Sequence, residues 1–331
     1  MLLPENFQGG TMSGIVKELV GVKWYRPQHK MADEVDPLGS CTKFLSIEGS
    51  IMSALTRRIL QVGCLIVQSL VGLSSIMAAA PSGPPAPSTK VKILFIGKNP
   101  DHPYGSHMYM HVSGVLAKCA ELTPGVETVV SNGWPTNSTV LEGVKCIVVY
   151  TNPAAELLMD NPHRPEFEAL MHKGAGLVTI HWASSIQKED FDRLGPAWLG
   201  FTGATWVSNV GLSSGPSRLV RLIPDHPICN GWKKIDLDDE YYLSPTIKTA
   251  TPLLQVHEKG GKDVVVGWVF ERPDGGRSFG TTLGHSYKFF QEEAFRRMIV
   301  NGILWSAHIE VPKEGAPVSL SKETLALPPK P

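Results

Sequence analysis

The strongest constraint on this chain is a recurrence that begins at Val91: short β-branched apolar runs alternate with segments of helical periodicity. VKILFIG (Val91–Gly97), VETVVS (Val126–Ser131), CIVVYT (Cys146–Thr151) and GLVTIHWA (Gly176–Ala183) are nearly continuous apolar runs. That is the pattern of strands buried on both faces. Between the first two, Val112, Val115, Leu116 and Cys119 recur at helical spacing within 107–122. The segment 165–174 opens with Pro and closes with Gly, the expected helix asymmetry. Strands alternating with helices imply a parallel sheet covered by helices on both faces. The second half is richer in strand signals: RLVRLI (Arg218–Ile223), LLQV (Leu253–Val256), VVVGWVFE (Val264–Glu271) and SFGTTLG (Ser278–Gly284). Asp274–Gly276 reads as a hairpin turn. A closing helix is expected over 292–307, followed by an unstructured tail at 313–331.

Composition excludes several functions. Lys plus Arg equals Asp plus Glu at 31 each, so no basic field draws the chain to nucleic acid. The five cysteines include no C-x-x-C, which offers neither a zinc ribbon nor a thioredoxin-type centre, and an odd count argues against a disulfide framework. No G-x-G-x-x-G follows Gly97, there is no P-loop, and GHSYK lacks the second glycine of a nucleophile elbow.

The first 90 residues do not read as a packed domain. Met52, Arg57-Arg58, an apolar run from Ile59 to Met77 and Ala78-Ala79-Ala80 match the three-part export signal. Translation is expected to begin at Met52, leaving 1–51 as a misannotated or disordered extension. Residues 52–80 form a signal peptide or N-terminal anchor, since the run is long enough to span a bilayer and Pro81 hinders cleavage. Export to the periplasm or the extracellular space is expected, with membrane contact only through that segment if it stays uncleaved. Residues 81–90 are a Pro-rich linker, and 91–312 form the folded domain.

In open parallel sheets ligands bind beyond the carboxyl ends of the strands. Asp101, His102 and His107 follow the first strand, with His111 one helical turn beyond. His181-Trp182 ends the fourth. The β-rich half adds Asp238-Asp239-Glu240-Tyr241-Tyr242 and His285-Ser286-Tyr287. Such His, Asp and Glu donors suit a divalent metal ion or acid/base work on a hydroxylated substrate. The aromatic rings suit stacking on the apolar faces of pyranoses.

The ordered set IGKNPDHPYGSHMY, GLVTIHWA, PDHPICNGW, DDEYY and RPDGGRSFGTTLGHSYKFF, with the final helix, resembles the ThuA-like (trehalose-utilisation) family over nearly all of 91–312. The resemblance implies a flavodoxin-like, class I glutamine amidotransferase-like fold: a parallel sheet with helices on both faces and a β-rich second half. It marks His102, His107, His181, Glu240, Tyr241 and His285 as pocket positions and Asp225-His226-Pro227 as a structural turn. It also implies a carbohydrate or keto-glycoside substrate, turned over by hydrolase, lyase or isomerase chemistry. The amidotransferase nucleophile would be a cysteine after Gly176, where His181-Trp182-Ala183 stands, so glutaminase activity is not expected. A further histidine expected in Gly200–Gly211 is missing. The catalytic candidates are His181 as base, His285 and Glu240. His102, His107, Trp182, Tyr241 and Tyr287 are the substrate-binding candidates, and His102, His107, His181 and His285 the metal ligands. The competing expectation is a non-catalytic module that binds carbohydrate or a partner on the same fold.

Overall fold

A computed structural model describes residues 90–330, which lie in one compact unit. The start site, the export segment, Cys41, Cys64 and nearly all of the linker fall outside the described residues. Thirteen strands follow in chain order. They are β1 (Val91–Gly97), β2 (Val126–Asn132), β3 (Val144–Val149), β4 (Gly176–Ile180), β5 (Ser185–Ile186), β6 (Ala204–Val207) and β7 (Leu212–Arg218). β8 (Val220–Arg221), β9 (Asp236–Tyr242), β10 (Thr246–Ile247), β11 (Thr251–His257), β12 (Asp263–Glu271) and β13 (Arg277–Thr281) complete them. The α-helices are α1 (Tyr109–Glu121), α2 (Ala154–Met159), α3 (Arg164–His172), α4 (Phe191–Thr202), α5 (Tyr287–Phe290), α6 (Glu293–Ser306) and α7 (Lys322–Leu325).

The main sheet has eight strands in the order β2-β1-β3-β4-β13-β12-β11-β8. The first five pair in parallel, and the last three run antiparallel. Alternation along each inner strand feeds two cores. Ile93, Phe95, Cys146 and Val148 pack on one side with α1 and α6, while Leu94, Ile96, Ile147 and Val149 pack on the other with α2, α3 and α4. This two-sided burial is why the runs are apolar without interruption.

Two expectations change. RLVRLI does not form one strand: the chain leaves a separate two-stranded sheet, β7 with β9, at Arg218 and joins the edge of the main sheet only at Val220–Arg221. The tail is also ordered. Ala316 and Val318 are fully buried, and the buried Asn301 accepts from the Ala316 amide while donating to the carbonyls of Ile228 and Asn230. Polarity of the segment hid this, because its anchors are a few apolar residues and a side-chain amide on α6. Among the described residues no helix is long and apolar enough to cross a membrane.

The seating of α6 on the sheet depends on Gly302. A Cβ there would lie 2.2 Å from the ring of the buried Phe279 on β13. Alanine is the better helix former by about 1 kcal/mol, but overpacking costs about 1–3 kcal/mol. Gly302→Ala is therefore expected to lower unfolding stability in chemical denaturation, against the sign that helix propensity alone predicts.

Candidate functional site

Three loops meet at the carboxyl ends of β1, β4 and β13. The loop after β1 is zipped to the loop after β13 by backbone bonds, His107 N–H to the His285 carbonyl at 3.1 Å and Tyr287 N–H to the Gly105 carbonyl at 2.8 Å. These bonds bring two histidines distant in sequence onto one another. His181 follows β4 directly, at the head of a short 3-10 turn. His107 and His181 both adopt left-handed backbone, at φ 48° and 56°. Such conformations cost a non-glycine residue of order 1–3 kcal/mol and cluster at functional sites.

The imidazoles converge through specific atoms. His107 Nε2 lies 3.0 Å from His181 Nε2 and 3.0 Å from His285 Nδ1. The three donor nitrogens all fall within 4.8 Å of one another. Glu240 Oε1 stands beside them, 3.8 Å from His181 Nε2 and 3.7 Å from His285 Nδ1. The groups behind the rings fix the tautomers. His181 Nδ1 is 2.8 Å from the Thr282 carbonyl oxygen, which can only accept, so the proton sits on Nδ1. His107 Nδ1 is 3.1 Å from Asp101 Oδ1 and 2.7 Å from the Tyr109 hydroxyl oxygen, and that hydroxyl donates its own proton to the same carboxylate. Burial raises Asp101, but the hydrogen bonds from His102, His107 and Tyr109 outweigh it and hold the carboxyl at about 2. Asp101 is thus an ionised acceptor, and the His107 proton also sits on Nδ1. Both Nε2 atoms are consequently acceptors, 3.0 Å apart, and the one on His181 also receives the Tyr242 hydroxyl at 3.0 Å.

Protonation does not relieve this. Burial and then the neighbouring His102 push His107 down to about 4. Burial and then His107 push fully buried His181 well below its ordinary value, and burial also lowers His285. Burial, then Asp239, raises Glu240. A cavity of about 170 Å³ adjoins the cluster, lined by His102, His107, Trp182, Trp206, Asn209, Leu212, Glu240 and Tyr242.

The expected site residues fall into three groups. His107, His181, His285 and Glu240 meet as described. His102 and Trp182 form the cavity wall, with His102 Nδ1 on Asp101 at 2.8 Å and its ring 3.6 Å from that of His107. Two candidates do not reach the cavity. Tyr241 donates its hydroxyl to the Gly215 carbonyl on the opposite face of β9, and Tyr242 takes the place expected of it. Tyr287 is buried and donates to the Leu325 carbonyl in the tail, with His111 at 3.0 Å from its hydroxyl. His181, expected as a base at the point of closest approach, is fully buried behind its neighbours. His226 caps a 3-10 turn by accepting from the Ile228 amide, a structural role.

Sequence reasoning named Tyr242 within the Asp238–Tyr242 run but chose Tyr241 as the binding residue, and it missed Tyr109, Trp206 and Asn209. Period-two alternation was the available signal for Tyr242, because Glu240 and Tyr242 share one face of a strand and Tyr241 cannot. Trp206 and Asn209 come from the Gly200–Gly211 segment, where a histidine was expected. The described cysteines Cys119, Cys146 and Cys229 are buried free thiols, each pushed up by burial.

A histidine whose pKa falls on folding makes the unfolded chain bind more protons, so stability drops as pH falls below the unfolded value. In chelator-treated protein, His107 should therefore cost stability between pH ~6.5 and about 4, above the range where the Asp101 carboxylate titrates. His107→Asn, a residue that tolerates left-handed backbone, should flatten that part of the curve of unfolding free energy against pH. An unchanged slope would remove His107 as its source.

Comparison with known proteins places the chain. Residues 98–306 match the ThuA family, described as trehalose utilisation. A ThuA-like protein from Bacteroides uniformis ATCC 8492 superposes with a TM-score of 0.51 at 16% identity, over 72% of this chain and 99% of that one. A cytoplasmic protein from Salmonella typhimurium gives 0.48 at 14% identity, over 65% and 99%. A glutamine amidotransferase from Thermotoga maritima gives 0.39 at 10% identity, over 66% and 96%. Comparison with curated proteins returns no match. The structural likenesses speak to fold alone, and the matched sequence pattern, covering well over half of the chain, shows that it belongs to the ThuA family.

Proposed function

We propose that this is an exported carbohydrate-acting enzyme whose pocket holds one divalent metal ion on His107, His181 and His285. The observation that carries the reading is the spacing of three imidazole nitrogens, His107 Nε2 lying 3.0 Å from both His181 Nε2 and His285 Nδ1, with acceptors behind His107 and His181 that leave Nε2 free of a proton. Nitrogens bound at 2.0–2.1 Å and separated by 90–110° lie about 2.8–3.4 Å apart, so the two 3.0 Å spacings at His107 suit shared coordination, with the third pair within 4.8 Å. Glu240, at 3.7 and 3.8 Å, lies outside that range and stands beside the open position that catalytic sites with three protein ligands keep. Imidazole donors suit a first-row divalent ion such as zinc.

When bound, such an ion would polarise a carbonyl or hydroxyl oxygen of the substrate. The remaining work belongs to the protein's own groups. Asp101 and the Thr282 carbonyl orient His107 and His181 from behind. Glu240, raised by burial and only partly exposed, is the base that removes a proton next to a sugar carbonyl or from an attacking water. Trp182, Trp206 and Tyr242 offer flat walls to a pyranose face. At about 170 Å³ the cavity is well below the ~300 Å³ of drug-sized sites, which favours one sugar ring over an extended chain. The family's link to trehalose utilisation supports a sugar or keto-glycoside substrate. The export reading rests on the segment 52–80 alone.

The full chain should bind one zinc ion, measured by metal analysis after dialysis, and chelation should abolish turnover in a screen of keto-glycosides. His181→Asn should lose the metal. Glu240→Gln should keep it and lower turnover by about 10²–10⁴-fold, the usual range for acid–base catalysis. Binding of these sugars without turnover, at any metal loading, would replace this reading with that of a carbohydrate-binding module.

A further inference from the structure

The hydroxyl of Tyr242, at the centre of the site, has no part in the chemistry proposed above. Tyr242 lies on the same face of β9 as Glu240, lines the cavity and is buried. Its ring stacks on Trp206 with centroids 4.0 Å apart and planes at 21°. The Trp206 indole is itself held, donating to the Leu243 carbonyl at 3.0 Å. The ring therefore has little room to turn away. Among the described residues its hydroxyl has one hydrogen-bond partner, His181 Nε2 at 3.0 Å. Because the Thr282 carbonyl keeps the His181 proton on Nδ1, Tyr242 is the donor in that bond.

The same Nε2 lone pair cannot serve both Tyr242 and a metal ion. We infer that Tyr242 is a further catalytic residue of this site, whose hydroxyl is freed from His181 when metal binds and then donates to the substrate oxygen that gains negative charge. This rests on the metal reading of the three histidines. A buried hydroxyl left unpaired is costly, and the polar space open to this one is the cavity beside Glu240. A donor held in place by stacking, aimed at the position where an oxyanion develops, is the arrangement that stabilises such charge most effectively. Metal binding and oxyanion binding are then linked through one proton: the first breaks a hydrogen bond, and the second restores one.

The linkage gives Tyr242→Phe opposite effects on two equilibria. Zinc should bind the variant more tightly than wild type, by about 2- to 10-fold, since no hydrogen bond is broken when the metal enters. Acetohydroxamate, a small oxyanion used as the probe, should bind the zinc-loaded variant more weakly by a similar factor. A merely structural role, in which Tyr242 props up His181, predicts weaker zinc binding instead. Calorimetric titration of the full-length proteins with zinc, then of the zinc-loaded proteins with acetohydroxamate, separates these cases. Zinc affinity that is unchanged or weakened in Tyr242→Phe, or undiminished acetohydroxamate binding, overturns the role of Tyr242 and leaves the metal reading standing. Failure of both proteins to bind zinc overturns the metal reading and this inference together.

Discussion

A neutral imidazole carries one proton, and in His107 and His181 that proton is committed behind the ring, to Asp101 and to the Thr282 carbonyl. Everything distinctive about the site follows from this. The lone pairs are forced to the front, and burial opposes the protonation that would separate them. Both rings are held in this attitude by left-handed backbone that the surrounding loops must stabilise. In a folded protein, two acceptors pressed together at 3.0 Å are a standing electrostatic conflict, which the Tyr242 hydroxyl on His181 offsets on one side alone. A cation between them removes it, and the partners behind the rings are of the kind that orient metal-bound histidines.

The sheet supplies the rigidity for that conflict to persist. β1, β4 and β13 lie within one run of parallel strands, packed on both faces by helices, so their carboxyl ends cannot drift apart without opening a core. The bonds between the Gly105–His107 and His285–Tyr287 segments then set the loops in register. The ordered tail reinforces the second of these loops, because Leu325 accepts from Tyr287 next to the segment that presents His285. The turn after β4, where the resemblance to amidotransferases expects a cysteine, holds His181 instead.

The inner strands and the strand-end histidines were legible because both follow simple rules: uninterrupted apolar runs for two-sided burial, and ligands beyond the carboxyl ends of a parallel sheet. What escaped the sequence were features decided by tertiary contacts. Tyr241 and Tyr242 are identical in type; alternation puts Tyr242 on the face of Glu240 only once the segment is known to be a strand, which its pairing with β7 decides. His181 looked like a base because of its position after β4, yet it lies fully buried behind His107 and Tyr242, which under the proposed reading leaves it to hold the ion. Trp206 and Asn209 sit in a segment without charge or histidine, so nothing in its composition pointed to a pocket wall. The tail looked unstructured because its anchors, two buried apolar side chains and hydrogen bonds to Arg296, Arg297 and Asn301 on α6, produce no periodic signal.

The central claim is that His107, His181 and His285 share one ion, and anomalous diffraction from crystals of the zinc-loaded protein tests it most directly. The account predicts a single strong peak at about 2.0–2.1 Å from His107 Nε2, His181 Nε2 and His285 Nδ1, with Glu240 facing its open side. A peak bound elsewhere, or none while the three nitrogens keep their present spacing, would contradict it.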